Sequence, residues 1–301
     1  MQAEMAERVR VSQVAGRTAR SALRRRLDAT SSYLLLTALA VIFMFPFFWT
    51  AASSLKTAAE VYVFPPLWLP GVPQWSNYPT VLKMIPFVQW FVNSVVVVVL
   101  STAGVIISGT IVAYSFARFR YHGRDLLFVI TLGTMMLPSE VTLIPQYLIF
   151  KELGWLNSIR PLWIPAWFGG HAFNIFLLRQ FILSIPREFD EAAIVDGAGY
   201  VRILVNILVP LMKPVLATVA VINFIGGWND FMGPLIYLNS PENFTLALGL
   251  RYFNVAPGQA GVPQQHFLMA AVVMATAPCI ILFFAAQRYF VQGIVLSGIK
   301  G

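Results

Sequence analysis

Six side chains inside long apolar stretches of the sequence have the chemistry needed to bind a polar solute. They are Glu140, His171, Asn174, Trp228, Asn229 and Asp230. His171 and Asn174 are three residues apart, so both can donate hydrogen bonds from one face of a helix. Trp228 offers an aromatic face beside an amide and a carboxylate, a combination suited to a sugar. These residues are the candidates for a substrate path.

Each candidate also has a purely structural explanation. Glu140 follows Pro138, and a break at that proline can open the stretch to solvent. His171 and Asn174 can hydrogen bond to neighbouring helices, as polar side chains do in membrane bundles. Residues 228–230 follow two glycines and can form a kink with a buried polar network. The sequence leaves both explanations open.

Catalytic motifs are missing from the sequence. It contains neither H-E-x-x-H nor G-x-S-x-G, and it lacks the phosphate-binding pattern G-x-x-x-x-G-K-[ST]. One cysteine and three scattered histidines give no set spaced for a metal ion. We therefore predict a chain that is not an enzyme and that takes energy from another protein.

A docking helix is predicted just after the apolar stretch that ends at residue 183. Ser184 can cap this helix, and Pro186 fits its opening turn. Gly197 and Gly199 close it, because glycine adopts the left-handed conformation that a helix end requires. With small residues and a glycine stop, the helix is suited to lie against another protein. A solvated connecting loop is the alternative.

A second short helix is predicted over residues 200–208, ending at Pro210. The two helices together form a loop at about 184–210.

The hydrophobic composition indicates that transmembrane helices position the candidate residues. Of 301 residues, 58% are hydrophobic and 11% are charged, whereas soluble domains carry about 25% charged residues. The apolar residues form six stretches, each long enough to cross a bilayer as a helix. These predicted spans are 32–53, 91–117, 126–150, 162–183, 214–237 and 267–290. The predicted fold is an all-α integral membrane protein with six transmembrane helices, in which Pro138, Pro145, Gly226, Gly227 and Pro234 interrupt the third and fifth.

The basic residues orient this bundle. Alternating sides give 16 Lys and Arg on the side that holds the N-terminus and five on the other. The positive-inside rule then places both termini in the cytoplasm. We expect a basic cytoplasmic tail over residues 1–31 and one transmembrane domain over 32–301.

Two long connections lie on the predicted external side. Residues 60–90 are rich in proline and tryptophan, which predicts a rigid cap. Residues 239–265 contain a run of small, turn-forming residues, which predicts a projecting loop that contacts an external partner. The predicted contact residues are Pro257, Gly258 and Gln259.

The predicted docking segment resembles the EAA loop of the integral membrane permeases of bacterial ABC importers. The likeness rests on Glu191-Ala192-Ala193, on Gly197 after three more residues, and on Ile207 with Val209-Pro210. Val209 stands where the family usually has leucine. Other stretches resemble the carbohydrate-uptake branch of that family, in particular the maltose-type G subunit. They are 93–94, 113–118, 138–145, 176–179, 228–230 and 287–293.

This resemblance implies a complete transport assembly in the bacterial cytoplasmic (inner) membrane. The chain would pair with a second homologous permease subunit, two ATPase subunits inside and an extracytoplasmic substrate-binding protein, and would import a sugar or oligosaccharide. ATP and Mg would bind to the ATPase subunits, and this chain would hold no cofactor. In that family the helix corresponding to residues 188–197 is the coupling helix. The coupling residues implied here are Glu188, Glu191, Ala192, Ala193, Asp196, Gly197 and Pro210.

Two other classes of function compete with this interpretation. A secondary transporter working without an ATPase would need internal symmetry and coupling carboxylates at the bilayer midplane. No repeat is visible, and Glu140 and Asp230 are the only suitable acids. A membrane enzyme would need a convergent catalytic set that the sequence does not show.

Overall fold

The computed structural model describes residues 30–253 and 264–298, and all regular secondary structure in them is helical. Three of these helices are long and apolar enough to cross a membrane, namely Thr30–Ser54, Phe87–Arg118 and Gln265–Gln287. Three further pairs of helices are bent sharply at a short break, and counting each pair as one span gives six in the described residues. The predicted all-helical membrane fold is confirmed, with three to six spans.

The chain divides into two compact units, Met1–Gln74 and Trp75–Gly301. In the first, α1 (Thr30–Ser54) is followed by α2 (Ala58–Tyr62) and a proline-rich segment. Lys56 is buried there, and its Nζ donates to the carbonyl of Leu67 at 2.6 Å and lies 4.2 Å from the ring of Trp49. This contact fixes the proline-rich segment to the end of α1, as expected of a rigid cap.

The second unit is built around one long helix, α4 (Phe87–Arg118), which packs against α8 (Ala172–Ser184) and α12 (Lys213–Trp228). The remaining helices are α3 (Asn77–Met84), α5 (Arg124–Gly133), α6 (Ser139–Glu152), α7 (Arg160–Trp163), α9 (Glu188–Val195), α10 (Tyr200–Ile203), α11 (Val209–Leu211), α13 (Met232–Tyr237), α14 (Leu246–Phe253) and α15 (Gln265–Gly298). Short 3₁₀ turns cover Thr134–Met136, Ile164–Trp167 and Pro241–Asn243.

Two apolar cores form at opposite ends of α4. The core at its C-terminal end contains Ala113, Phe116, Leu178, Ile182, Ala193 and Leu208, and the core at its N-terminal end contains Val81, Trp90, Val98, Trp228, Leu246 and Ala270. Both cores draw on residues far apart in sequence, so α4 is the element that joins them.

The third predicted span is not one continuous helix. The helices before and after Pro138 meet at an angle of 101°, because the residue that precedes a proline is driven out of the helical conformation. Leu137 accordingly has extended dihedral angles. Pro145, also predicted to interrupt this span, lies inside α6 and does not end it. Its missing amide leaves one backbone carbonyl of the preceding turn without its usual donor.

In the fifth predicted span, the helix continues through Gly226 and Gly227 and ends after them. Gly226 and Gly227 both lie inside α12, where a Cβ on Gly227 would lie 3.2 Å from a methyl group of Val98. This glycine permits a close approach to α4. The helix ends at Trp228 instead, and the carboxylate of Asp230 accepts a hydrogen bond from the amide of Gly233 at 3.2 Å, in the first turn of α13.

Candidate functional site: the docking helix and its anchors

The predicted docking helix is present as α9, and it has two distinct faces. Asp190 and Ala193 face the protein, where Ala193 joins the core at the C-terminal end of α4. The opposite face is exposed and carries residues at helical positions i, i+3, i+4 and i+7. We call it the outward stripe, which consists of Glu188, Glu191, Ala192 and Val195.

A buried ion pair fixes α9 to the end of α4. Arg118, the last residue of α4, places its Nε 2.6 Å from a carboxylate oxygen of Asp190. The side chains are only 6% and 14% exposed. Arg118 also donates through Nη2 to the carbonyl of Ile185 at 3.0 Å. Burial raises the pKa of the Asp190 carboxyl, and the nearby Arg118 guanidinium opposes that rise.

Gly197 ends the docking helix as predicted. Its φ is +79°, which lies in the left-handed region. Its amide donates to the carbonyl of Ile194 at 3.0 Å, and the amide of Ala198 donates to that of Ala193 at 2.9 Å. This pair of bonds is a Schellman motif, and it satisfies carbonyls that the helix end leaves unpaired. Asp196 is the exposed residue between the helix and this glycine.

Three details of the predicted docking segment are wrong. Ser184 does not cap α9, because it still belongs to α8 and its hydroxyl donates to the carbonyl of Phe181. Pro186 lies ahead of the first turn, which begins after Arg187. Gly199 does not close α9 either, because it has extended dihedral angles and begins α10.

The second helix of this segment also runs further than predicted. It continues from α10 through a π-helical turn, Leu204–Leu208, into α11, so Pro210 lies inside it. A proline lacks the amide that an α-helix needs and its ring crowds the preceding turn. The wider π turn just before it adjusts the hydrogen bonding at that point. The helix is held to α4 by the Tyr114 hydroxyl, which donates to the carbonyl of Tyr200 at 3.4 Å.

The structure separates the two polar residues predicted to share a face of the fourth span. Asn174 is buried, and its side-chain amide donates to the side chain of Asn223 on α12 at 3.3 Å. This is the interhelical bond that the structural explanation required. His171 is exposed and precedes α8 in an extended conformation, so the two residues share no helix face.

The remaining substrate-path candidates lie in different environments. Trp228 is buried, stacked on Phe224 at 5.5 Å with its ring nitrogen donating to the carbonyl of Ala275. Asn229 is exposed, and its side chain donates to a backbone carbonyl of its own helix. Glu140 is exposed in the first turn of α6. The structure therefore gathers no single polar cavity from the six candidates.

A polar clamp at the other end of α4 was not predicted. Asn157 has a φ of +56°, and its side-chain oxygen accepts hydrogen bonds from the amides of Asn239 and Ser240 at 3.0 and 2.9 Å. Asn93 of α4 donates to two carbonyls of the same segment, including that of Phe244 at 3.0 Å. Asn157 thus fixes the start of the segment 239–246, and Asn93 holds the same segment against α4. The signal was Asn93-Ser94, because two polar residues opening an apolar helix need partners.

Two further predictions concern the contact with a binding protein and metal binding. Pro257, Gly258 and Gln259 lie outside the described residues. Within residues 30–253 and 264–298, no group of three acidic, histidine or cysteine side chains is arranged to hold a metal ion.

Comparison with known proteins places this geometry in a family. A family model described as the binding-protein-dependent transport system inner membrane component matches residues 105–296, which is more than half of the chain. The galactooligosaccharides transport system permease protein GanQ of Bacillus subtilis is 33% identical over 93% of this chain and 98% of its own. The maltodextrin transport system permease protein MdxG of the same bacterium is 30% identical over 92% and 98%.

A solved structure shares the fold. It is a bacterial ABC transporter involved in the import of the acidic polysaccharide alginate, and one of its chains superposes with a TM-score of 0.77 at 26% identity, covering 88% of this chain and 97% of that one. The matched family range includes the C-terminal part of α4, the whole docking helix and the π turn behind it. The chain therefore belongs to the family of binding-protein-dependent transport system inner membrane components.

Proposed function

We propose that this chain is a membrane-spanning permease subunit of an ATP-driven ABC importer that takes up a sugar or oligosaccharide. Family membership supports a permease. The names of its relatives support the substrate class, since GanQ is a permease for galactooligosaccharides and MdxG is a permease for maltodextrin. Glu140, His171 and Asn229 are exposed and remain candidates for contact with the solute.

The proposed assembly has six spans in the bacterial inner membrane, with both termini in the cytoplasm. A second homologous permease completes the translocation path, two ATPase subunits bind ATP and Mg, and an extracytoplasmic binding protein delivers the solute. Pro257, Gly258 and Gln259 are the proposed contact with that binding protein. The basic asymmetry of the sequence supports this orientation.

One observation carries the coupling role, namely the two-faced docking helix. A solvated loop needs no buried ion pair, whereas α9 is held by Arg118 and ended by a Schellman motif. Its other face stays open, and Val195 there is 86% exposed beside the small side chain of Ala192. A fixed helix with an open apolar and acidic face is suited to a groove on a partner. We assign this groove to the ATPase.

The test places a bulky residue on the outward stripe. Ala192→Trp would fill the space that the partner groove needs, and Glu191→Lys reverses a charge near the helix terminus, which alone is worth about 1 kcal/mol. We expect each variant to lower oligosaccharide uptake about fivefold or more. The amount of ATPase subunit that co-purifies in mild detergent should fall in parallel. Uptake and co-purification are measured in the same membranes.

His122→Trp is the matched control, because His122 is exposed in the turn between α4 and α5 and lies outside α9. It should leave uptake and co-purification unchanged. Normal transport by both stripe variants at normal expression would show that α9 is only a solvated loop. Uptake that continues when no ATPase is present would favour a secondary transporter.

A further inference from the structure

An arginine-lined cavity lies beside the docking helix and has no part in the function proposed above. Its volume is about 570 Å³, and it lies between the C-terminal end of α4, the start of α5 and the C-terminal half of α8. The charged residues in its lining are Arg120, Arg124, Arg179, Arg187 and Asp125. Four cations and one anion give the cavity a strong excess of positive charge.

Three of the four arginines in the lining form no ion pair with the described residues. Arg124 is paired with Asp125 at 2.8 Å, which accounts for the one acid. No carboxylate in the described part of the chain lies within ion-pair distance of Arg120, Arg179 or Arg187. Arg179 is held in place, because its guanidinium lies over the ring of Phe128 at 4.0 Å and its Nε donates to the carbonyl of Phe116. The cavity therefore presents preformed positive charge.

The surface beside the cavity is apolar and uncovered. Leu126 and Leu183 belong to the lining and are 65% and 42% exposed. The exposed row continues along α5 with Leu127, Val129 and Ile130. In a membrane protein such a row is covered by acyl chains or by another subunit. The cationic cavity is therefore placed to bind a lipid headgroup, and the apolar row beside it is placed to bind the acyl chains.

We propose that this cavity binds the phosphate of an anionic phospholipid. Guanidinium groups match phosphate oxygens in geometry and bind them with two parallel hydrogen bonds. Basic pockets between membrane helices bind acidic headgroups for this reason. A free phosphate ion has the same headgroup chemistry, but it makes no use of the apolar row. The row therefore assigns the site to a lipid.

The test measures lipid retention on the full chain. The protein is purified in mild detergent and titrated with phosphatidylglycerol or with phosphatidylcholine, and the bound lipid is counted by native mass spectrometry. We expect phosphatidylglycerol to be preferred. The double variant Arg120→Gln/Arg187→Gln removes two exposed cations from the lining. It should weaken phosphatidylglycerol binding about 25-fold, since each of the two arginines near a lipid headgroup contributes about fivefold.

Arg202→Gln is the matched control, because Arg202 is an exposed arginine of α10 outside the cavity. It should leave the preference intact. Retention of the full preference in the double variant would overturn the proposal. Inorganic phosphate that displaces phosphatidylglycerol and stabilises the chain equally would assign the site to a soluble anion instead. Loss of co-purifying ATPase with unchanged lipid binding would show that the arginines contact a subunit, and this outcome too would overturn the lipid assignment.

Discussion

At the scale of single residues, Gly197 shows how one dihedral angle sets the end of the docking helix. A Cβ at Gly197 or at Gly199 would meet no atom within 4 Å, so only the backbone distinguishes these two glycines. Gly197 has a φ of +79°, whereas Gly199 has a φ of −76°. Gly197→Val should therefore cost about 1–2 kcal/mol of local strain and reduce transport, while Gly199→Val should be tolerated. Uptake by the two variants at matched expression measures the difference.

Equal transport by the two valine variants would contradict this assignment. The cause of any loss would then have to lie in the side chain rather than in the backbone.

The second prediction for single residues concerns the stability that the ion pair between Arg118 and Asp190 provides. Asp190→Ala leaves a buried guanidinium without its partner and should lower the stability of the chain by about 3 kcal/mol. Replacing both residues with apolar ones, Arg118→Met with Asp190→Leu, should cost less, within about 1 kcal/mol. Thermal unfolding of the detergent-purified protein reports both values. The double replacement removes the tether to Ile185 as well, so transport should still fall.

Asp125→Ala is the control for that experiment. Asp125 is paired with Arg124 but is 77% exposed, so its loss should change stability by less than about 0.5 kcal/mol. A similar loss from both aspartate variants would mean that burial does not govern the pair.

These residues also show the limits of the sequence. Gly197 could be predicted because a helix end is a local feature, set by the few residues around it. The contact between Arg118 and Asp190 could not, because it joins residues that only tertiary packing brings together. The bond from Asn174 to Asn223 could not be predicted for the same reason, because the two residues lie on different helices.

At the scale of elements, glycines in α4 set how closely other elements approach it. A Cβ on Gly104 would lie 2.6 Å from the indole ring of Trp167, whereas one on Gly109 would lie 3.5 Å from Leu178. Gly104→Ala should therefore destabilise the chain by about 1–3 kcal/mol. Gly109→Ala should be neutral or stabilise it by up to about 1 kcal/mol, because alanine favours helix. Thermal midpoints in detergent compare the two directly.

Destabilisation by Gly109→Ala as large as that by Gly104→Ala would show that the helix tolerates no added methyl group anywhere along this face. The contact with Trp167 would then not be the deciding one.

Proline rules explain both the correct and the wrong boundaries of the elements. Pro138 breaks its span, but Pro145 and Pro210 lie inside helices. All three lack an amide, so composition alone cannot rank them. The outcome depends on whether neighbouring turns can take up the missing hydrogen bond, as the π turn does before Pro210. That is a property of packing, and the single sequence does not contain it.

At the scale of the whole molecule, the proposed orientation makes a direct prediction. In a chain whose one cysteine is replaced by Cys279→Ala, His122→Cys and Glu191→Cys should be shielded from an impermeant thiol reagent in intact cells. Gln74→Cys should be labelled, since it follows the proline-rich segment on the proposed external side. Labelling in opened membranes controls for reactivity. External labelling at Glu191→Cys would refute both the orientation and the docking role.

The all-helical membrane fold was the most predictable feature, because it depends on the hydropathy of long stretches and not on the placement of any single residue. The break at Pro138 could be predicted from the proline, but the angle of 101° between the two helices that meet there could not, since an apolar stretch has the same composition whatever its bend.

The length of α4 has a mechanical consequence. Its 32 residues make a rod of about 48 Å, longer than the roughly 30 Å hydrocarbon layer, and no proline interrupts it. One end carries Arg118, which holds the docking helix, and the other carries Asn93, which holds the segment 239–246. Because no proline lets α4 bend, a displacement of one end moves the other end as well. In the proposed importer, a displacement of the docking helix would therefore be carried along α4 to the segment 239–246 without passing through the transported solute.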